Sequence, residues 1–311
     1  MARPTLLTLP DGASLAYELL GSMWLGHREP IVLIGGVSSL RGDWDRLAKP
    51  LAQTRPVLIY DHRGIGDSSY STPASDDEIT VELMARDLLF LLQSLKFTEV
   101  ALCGFSMGGT VTQQLLLLPY LPSNPVALPF KITHVLLTGT FHIMWEEKGY
   151  GIKLDTTPVT KWPLTDEEKK TRARPALEGT FDPVWVADPA NQERLNWWLD
   201  RQIIGRPLRT IIKQSRAVTR SRMKLSGYEQ IPPTTQFLII HGEKDSIVPF
   251  SSGKKLLQVI PQARFVQTGS QPGEVPNLAF GHHWWEYFDI EVWLNVVETF
   301  LSQENQLHGR L

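Results

Sequence analysis

The stretch CGFSMGGT, from Cys103 to Thr110, follows a run that is typical of a buried β-strand and precedes a helical pattern. It places Ser106 between Gly104 and Gly108, and glycines at these positions let a strand turn sharply into a helix. Such a turn exposes the serine hydroxyl above a helix N-terminus, where the hydroxyl can act as a nucleophile. The same string can also be only a tight turn with a small residue. A nucleophile requires that the chain also supply a base, an acid that orients the base, and an oxyanion site.

The segments around this motif predict a mostly parallel β-sheet. Continuous apolar runs suit strands that are buried on both faces of such a sheet. These runs are PIVLIGG, RPVLIYDHRG, TEVALCGFS, KITHVLLTGT, TTQFLIIHGEKD and ARFVQTGS. The N-terminal segment TLLTLPDGASLAYELLG predicts an antiparallel hairpin. Helical patterns lie between the runs, for example VELMARDLLFLLQSLK with Thr80 as its N-cap. This alternation predicts a doubly wound α/β fold.

One interval, from Phe141 to about Gln230, breaks the alternation of strands and helices. It has no strong strand pattern, and it contains five of the ten tryptophans of the chain: Trp145, Trp162, Trp185, Trp197 and Trp198. Because the interval follows one strand and precedes the next, we expect it above the carboxyl ends of the strands. The sequence therefore predicts a core formed by residues 1–140 and 231–311, and a helical cap formed by residues 141–230.

The composition of the 311 residues narrows the class of protein. A net charge of -2 gives no general attraction to nucleic acid or to a membrane surface. The single cysteine excludes an internal disulfide, and the opening MARPTLLTLPDG lacks the apolar core of a signal peptide. These features predict a cytoplasmic protein. The final residues HGRL match a peroxisomal signal only in their basic-Leu pair, and the oligomeric state is not predicted.

A base and an acid can be assigned if the chain follows the order serine, acid, histidine. In AFGHHWWEY, His282 stands next to Gly281 in a loop before the last helix, and it is the predicted base. His283 is the alternative. In FLIIHGEKDSIVP, Asp245 follows a tight turn, and it is the predicted acid that holds the imidazole tautomer. Glu243 is the alternative acid.

An oxyanion site needs two backbone N–H groups. One is the N–H of Met107, the residue after the serine, and the other is that of Val37 in the loop after IVLIGG. Gly35 and Gly36 would permit a close approach of the backbone there. The histidines of the chain show no paired ligand spacing, so neither a metal nor a cofactor is expected.

Jointly, the stretches VLIGGVSSLRGDW, LIYDHRGIGDS, GFSMGG, IIHGEKDSIVP and GHHWWE resemble the α/β-hydrolase superfamily. The resemblance covers nearly all of the chain outside the predicted cap. It implies a fold of that type with the triad Ser106, Asp245 and His282. Epoxide hydrolases and haloalkane dehalogenases of this fold carry aspartate in place of the serine. The resemblance therefore implies an acyl-enzyme formed from an ester, a thioester, an amide or a C–C bond beside a carbonyl.

Two further points follow from this resemblance. The family usually has His-Gly where this chain has Gly35-Gly36. The resemblance therefore does not predict the shape of the oxyanion loop. In the family, the stretch DHRGIGDS is a structural turn beside the site. We therefore expect His62 and Arg63 to be structural residues.

A finer resemblance concerns GGVSSLRGDWDRLAKPLAQ, YDHRGIGDSS and GTFHIMWEEKGYG, which are similar to hydrolases of fungal polyketide and toxin clusters. Members of that group release a polyketide chain by hydrolysis, and some relatives close a macrolactone. It implies a polyketide-releasing thioesterase. The alternatives are a general carboxylesterase and a non-catalytic ligand-binding protein. Trp145, Trp197 and Trp198 are predicted to contact an apolar acyl chain, and the alternative is that they join the cap to the core.

One segment of the predicted cap, RPLRTIIKQSRAVTRSRMK, has a basic stripe and an apolar stripe at helical spacing. The basic stripe is Arg209, Lys213, Arg216 and Arg220, and the apolar stripe, expected to face inwards, is Leu208, Ile211, Ile212 and Val218. No acidic residue lies between Arg201 and Tyr228. Because acyl carrier proteins are acidic, the basic stripe predicts a docking face for one. The alternative is a solvated basic face.

Overall fold

The structure is a computed structural model, and it describes residues 3–74, 77–152, 157, 161, 163–223 and 225–303. The strands of its central sheet are β1 (Thr5–Thr8), β2 (Ser14–Leu20), β3 (Ile31–Ile34), β4 (Val57–Tyr60), β5 (Glu99–Phe105), β6 (Lys131–Thr138), β7 (Gln236–Ile240) and β8 (Ala263–Phe265). Their spatial order is β1-β2-β4-β3-β5-β6-β7-β8. A small second sheet pairs β9 (Gln267–Thr268) with β10 (Glu274–Val275).

The sheet is antiparallel at one edge and parallel elsewhere. Strand β1 pairs antiparallel with β2, as the predicted hairpin requires, and β2 also pairs antiparallel with β4. All other pairs in the large sheet are parallel. The carboxyl ends of β3, β5, β6 and β7 therefore meet at one edge, which is where loops of a doubly wound sheet form binding sites. The predicted α/β fold class is confirmed.

Helices cover both faces of this sheet because its strands are apolar on both faces. The helices are α1 (Asp45–Leu51), α2 (Val81–Ser94), α3 (Met107–Leu117), α4 (Asp166–Glu178), α5 (Pro183–Ala187), α6 (Gln192–Gln202), α7 (Leu208–Arg220), α8 (Phe250–Val259) and α9 (Ile290–Leu301). Successive residues of β3 alternate between two apolar clusters: Val32 packs with residues of α2 and α3, and Leu33 packs with residues of α1 and α9. Each face of the sheet thus carries its own core.

Helix α2 illustrates how the sequence specifies its own boundaries. The Thr80 side chain accepts a hydrogen bond from the Leu83 N–H at 3.0 Å, which caps the first turn as predicted. Met84, Leu88 and Leu91 are fully buried against the sheet. The helix ends before Leu95, which is only half-buried.

Helices α4 to α7 lie between β6 and β7, and we call residues 141–230 the cap segment. Its described residues contain no strand. Trp162 lies outside the described residues, as do the final residues of the chain. The division into core and cap domains stays a prediction. Within the part of the chain that the structure describes, no helix is both long and apolar enough to cross a membrane.

The inner face of α7 differs from the predicted apolar stripe. Leu208 is 64% exposed and Ile212 is 40% exposed, so the prediction that they face inwards is wrong. Thr210 and Gln214 are buried instead, together with Ala217 and Val218. The physical reason is hydrogen bonding, because the side chains of Thr210 and Gln214 bind groups of the core.

The basic stripe of α7 is divided between two environments. The Arg209 guanidinium donates to Ala74 O at 2.9 Å, and Lys213 Nζ donates to Asp77 O at 2.6 Å. These two cations therefore hold the loop that precedes α2. Arg216 and Arg220 are exposed.

Candidate active site

Ser106 occupies a strained turn between β5 and α3. Its φ of 53° and ψ of -121° are unusual for a residue with a Cβ atom. The Ser106 N–H donates to Thr138 O at 2.9 Å, and its carbonyl accepts from the Thr140 hydroxyl at 2.7 Å. A Cβ atom on Gly108 would clash with the carbonyl of Ile34, so this helix can approach β3 only with glycine there. The surrounding contacts hold the serine at the apex of the turn.

Asp245 and His282 form a buried pair. His282 Nδ1 lies 2.8 Å from Asp245 Oδ2, and the two residues are 5% and 3% exposed. The carboxylate also accepts backbone N–H bonds from Ile247 and Val248 at 2.9 Å each. Because the Asp245 carboxylate can only accept, Nδ1 carries the proton of this hydrogen bond, and in that tautomer Nε2 is left as an acceptor.

The pKa of the Asp245 carboxyl lies well below its usual range. Burial by itself would raise this pKa, but the electrostatic interaction with the adjacent His282 imidazole and hydrogen bonds from His241 and His282 outweigh burial. His241 Nε2 lies 3.3 Å from Asp245 Oδ2 and 3.0 Å from Val248 O. Two imidazoles thus keep this carboxylate ionised and fix its orientation.

The parallel register of the sheet brings this pair to the end of β5. Phe105, Thr138 and Ile240 are aligned on β5, β6 and β7, so the residues after them share one edge. A Cβ atom on Gly139 would lie 3.2 Å from His282 Nδ1. The Phe105 ring lies 4.7 Å from the His282 ring, between centroids. The predicted serine, acid and base are therefore neighbours in space.

The two alternative residues occupy different surroundings. Glu243 is exposed. The His283 Nδ1 atom lies 2.9 Å from Thr180 Oγ1, whose own proton goes to Leu177 O, so His283 donates this bond. Burial holds the pKa of His283 well below its usual value, and the electrostatic interaction with the neighbouring His282 lowers it further. His283 is thus a neutral imidazole held by a hydroxyl and not by a carboxylate.

The loop after β3 approaches Ser106 closely. A Cβ atom on Gly36 would lie 3.0 Å from Ser106 Cβ, so this position requires a close-packed glycine. Met107 is the first residue of α3. Within the residues that the structure describes, neither the Val37 N–H nor the Met107 N–H donates a hydrogen bond. Both are available to an oxyanion.

His62 and Arg63 serve the structure of this edge, as expected. His62 Nε2 donates to Gly35 O at 3.0 Å, and burial lowers the pKa of His62 to about 4. The Arg63 guanidinium binds the carboxylate of Asp87 at 2.8 and 2.9 Å and also contacts Asp11 and Asp77. The first residue holds the loop after β3, and the second joins α2 to the segment that precedes it.

The structure corrects the role predicted for Trp198. This side chain is only 1% exposed, its Nε1 donates to Glu286 Oε1 at 3.1 Å, and its ring lies 4.6 Å from that of His283. Because a side chain with almost no accessible surface cannot contact a ligand, the prediction that Trp198 touches substrate is wrong. Trp185 is also buried, and its ring stacks on Phe181 at 4.1 Å. Both tryptophans join the cap segment to the core.

The other two predicted substrate contacts differ from Trp198. The guanidinium of Arg194 lies 3.7 Å above the ring of Trp197, and that of Arg201 lies 4.8 Å from it. The Trp197 ring is thus covered by cations. Trp145 is half-buried, with its ring edge-on to Phe141 at 5.1 Å. Contacts of Trp145 and Trp197 with substrate stay predictions.

Three residues of this site escaped the sequence analysis. His241, which holds Asp245, stands four residues before it in IIHGEKD, and this spacing could have drawn attention to it. Gln214 and Arg206 contact Ser38, next to the predicted oxyanion donor Val37. Nothing in their local sequence signals these contacts, because more than 160 positions separate the partners.

Known proteins resemble the chain at several levels. A family model for the alpha/beta hydrolase fold matches residues 29–270. RutD from Caulobacter vibrioides, provisionally named a carbamate hydrolase, is 34% identical over 117 residues, which are 38% of this chain and 41% of RutD. The chain therefore matches only about two fifths of the length of this relative. Mouse serine hydrolase BPHL is 26% identical over 259 residues, 82% of this chain and 75% of BPHL.

A solved structure shows the same architecture. The crystal structure of a hydrolase from Pseudomonas aeruginosa PA01 matches with a TM-score of 0.70 and covers 97% of this chain and 99% of its own. The sequence identity is 22%, so this likeness concerns the fold alone.

Proposed function

The chain belongs to the alpha/beta hydrolase fold family, and on that premise we propose that it is a serine hydrolase whose acyl-enzyme forms on Ser106. The observation that carries the proposal is the position of this serine. It lies at the apex of a strained turn directly after Phe105, whose ring lies 4.7 Å from that of His282, and the Nδ1 of His282 is held by a buried, ionised carboxylate. That combination is the arrangement in which a serine hydroxyl is activated.

The proposed reaction uses each group once per half-reaction. His282 Nε2 takes the proton of Ser106 Oγ as the oxygen attacks the acyl carbon, and Asp245 stabilises the imidazolium that forms. The N–H groups of Val37 and Met107 receive the oxyanion. As the acyl–leaving-group bond breaks, His282 returns the proton to the departing thiolate or alkoxide. Water, deprotonated by His282, then releases the acid and restores the serine.

We further propose that the acyl donor is a thioester carrying a polyketide-like chain. The support is the resemblance of GGVSSLRGDWDRLAKPLAQ and GTFHIMWEEKGYG to fungal thiohydrolases. If a substrate hydroxyl replaces water in the second half-reaction, the product is a macrolactone. A general carboxylesterase would differ in its preference for oxygen esters, and a non-catalytic protein would form no acyl-enzyme.

An acidic carrier protein is the proposed partner for such a thioester. Arg216 and Arg220 support this docking because both are exposed on α7. Arg209 and Lys213 are assigned no part in it, since they hold the loop before α2. We also propose a cytoplasmic location for the protein, with a peroxisomal location as the alternative.

A fluorophosphonate probe tests the nucleophile directly. We expect one adduct, on Ser106, by mass spectrometry of the labelled protein, and none in Ser106→Ala. Labelling elsewhere, or no labelling of the folded protein, would contradict a serine hydrolase. A parallel assay with a short aryl ester and a long acyl thioester separates the two substrate classes. A higher kcat/KM for the aryl ester would favour the carboxylesterase alternative.

A further inference from the structure

The cap segment holds the backbone of the oxyanion loop, and we infer that Gln214 and Arg206 are positioning residues for the Val37 N–H. This inference rests on the proposed function, because it needs Val37 to be an oxyanion donor. Neither residue contacts the reacting atoms in this assignment. Both act through the peptide groups that follow Val37.

Ser38 is held at both of its backbone polar groups by the cap segment. Its N–H donates to Gln214 Oε1 at 2.9 Å, and its carbonyl accepts a hydrogen bond from Arg206 Nη1. The φ of Ser38 is 61°, in the left-handed region that disfavours a residue with a Cβ atom. Such a conformation is strained and persists only when surrounding contacts impose it. The two side chains of the cap segment supply those contacts.

The peptide group that carries the Val37 N–H lies between other restrained peptides. On one side, Gly35 O accepts a hydrogen bond from His62. On the other side, Gln214 binds the N–H of Ser38. The carbonyl of the central peptide, Gly36 O, accepts from the Ser39 N–H at 3.3 Å. Because C=O and N–H point in opposite directions in a trans peptide, the Val37 N–H points away from Ser39.

The side chains of Arg206 and Gln214 hold Ser38 rigidly because both are buried and hydrogen-bonded. The Arg206 side chain is 3% exposed, and its guanidinium donates to both carboxylate oxygens of Asp43 at 2.9 Å. Gln214 is fully buried. Its Nε2 atom has no hydrogen-bond partner among the described residues. A buried amide left half-satisfied destabilises the fold, so stability alone would favour an apolar residue here.

The experiment compares Gln214→Met with Thr210→Val. The first variant keeps the length of the side chain and removes the acceptor for Ser38. The second is a matched control one turn earlier on the same buried face of α7, where Thr210 Oγ1 lies 2.7 Å from the Tyr70 hydroxyl. Each removes one partly buried hydrogen bond between α7 and the core. For each variant we would measure kcat and KM with an aryl ester, the Kd of phenylboronic acid, and stability in urea.

We expect Gln214→Met to lower kcat about 10- to 100-fold, since a single oxyanion donor is worth about 100- to 1,000-fold and misalignment forfeits part of it. The Kd of phenylboronic acid, which forms a tetrahedral adduct with a serine, should rise by a similar factor while KM changes little. Thr210→Val should lower stability and leave kcat and this Kd unchanged. Arg206→Met, which removes the donor to Ser38 O, should reproduce the kcat effect.

Equal effects of Gln214→Met and Thr210→Val on kcat and on the boronic acid Kd would overturn the inference. So would a wild-type kcat in Gln214→Met. If Gln214→Met does not fold, the same criteria apply to Arg206→Met against Thr210→Val. Failure of the proposed function has a different signature, because the aryl ester would then be hydrolysed equally well by Ser106→Ala.

Discussion

His282 directs its Nδ1 atom to the carboxylate of Asp245 at 2.8 Å, whereas His283, the next residue, directs its Nδ1 atom to a threonine hydroxyl. Two adjacent imidazoles thus have opposite surroundings. One is oriented by a charge that can stabilise its protonated form. The other is enclosed by Phe181 and Trp198, with ring centroids 5.1 and 4.6 Å away.

The two histidine variants should therefore differ in what they damage. We expect His282→Ala to lower kcat by about 10⁴-fold or more, because the base and the nucleophile act as one unit. His283→Ala should mainly lower the free energy of unfolding, since it removes a packed ring. Steady-state kinetics and urea unfolding of both variants measure this. A larger loss of kcat in His283→Ala would reverse the assignment of the base.

The buried carboxylate gives a second prediction. Asp245→Asn should lower kcat by about 10⁴-fold, because an amide cannot stabilise the imidazolium and favours the wrong tautomer. Glu243→Gln is the matched control, since Glu243 is exposed in the same loop. Kinetics of the two variants with one ester substrate measure the difference. Comparable losses in both would argue against Asp245 as the orienting acid.

His62 should make stability depend on pH. Its pKa falls from 6.5 to about 4 on folding, because burial disfavours the charged ring. Between these values the unfolded chain binds a proton that the folded chain does not, so stability falls as pH drops from about 6.5 to about 4. The loss attributable to this group is about 3 kcal/mol.

A variant isolates this contribution from those of other buried groups. His62→Gln keeps a side-chain N–H donor for Gly35 O and removes the titrating ring. Urea unfolding at pH 7.5 and at pH 4.5 should show a smaller loss of stability in the variant than in the parent chain. An identical loss in both would mean that His62 does not titrate as its burial implies.

Variants of Trp198 and Trp145 should distinguish a role in packing from contact with substrate. Trp198→Ala should destabilise the protein by about 3–5 kcal/mol, as loss of a fully buried ring does, and change KM alike for long and short acyl groups. Trp145→Ala should raise KM for a long acyl thioester more than for an acetyl ester. Chemical unfolding and paired KM measurements test both statements. A dependence of KM on acyl chain length that changed only in Trp198→Ala would contradict both statements.

The exposed part of the basic stripe should affect only a carrier-bound substrate. Combining Arg216→Glu with Arg220→Glu should lower kcat/KM about 10-fold for a thioester on an acidic carrier protein, with a loss that shrinks as salt rises. A thioester of a small thiol should react as before. The matched control combines Lys96→Glu with Lys131→Glu. Both lysines are exposed at the amino ends of β5 and β6. Equal effects on both substrates would remove the carrier from the proposal.

Local pattern was sufficient for the fold and for naming a candidate serine, acid and base, but not for the residues that hold them. A strand buried on both faces must be apolar throughout, so the runs that became β3 to β7 were visible in the sequence. The turn at Ser106 was visible because glycines must flank it. Asp245 and His282 could be named because each stands next to a turn at the end of a late element.

Only the tertiary structure decided what depends on contacts between distant segments. Trp198 contacts Glu286, which lies 88 positions away in the sequence, and does not face solvent. Helical spacing does not encode a contact of this kind. The inner face of α7 is polar at Gln214 because its partner, Ser38, lies 176 positions earlier. Sequence periodicity reports which residues share a face of a helix. It does not report what that face will meet, because partners are brought together by folding of the whole chain.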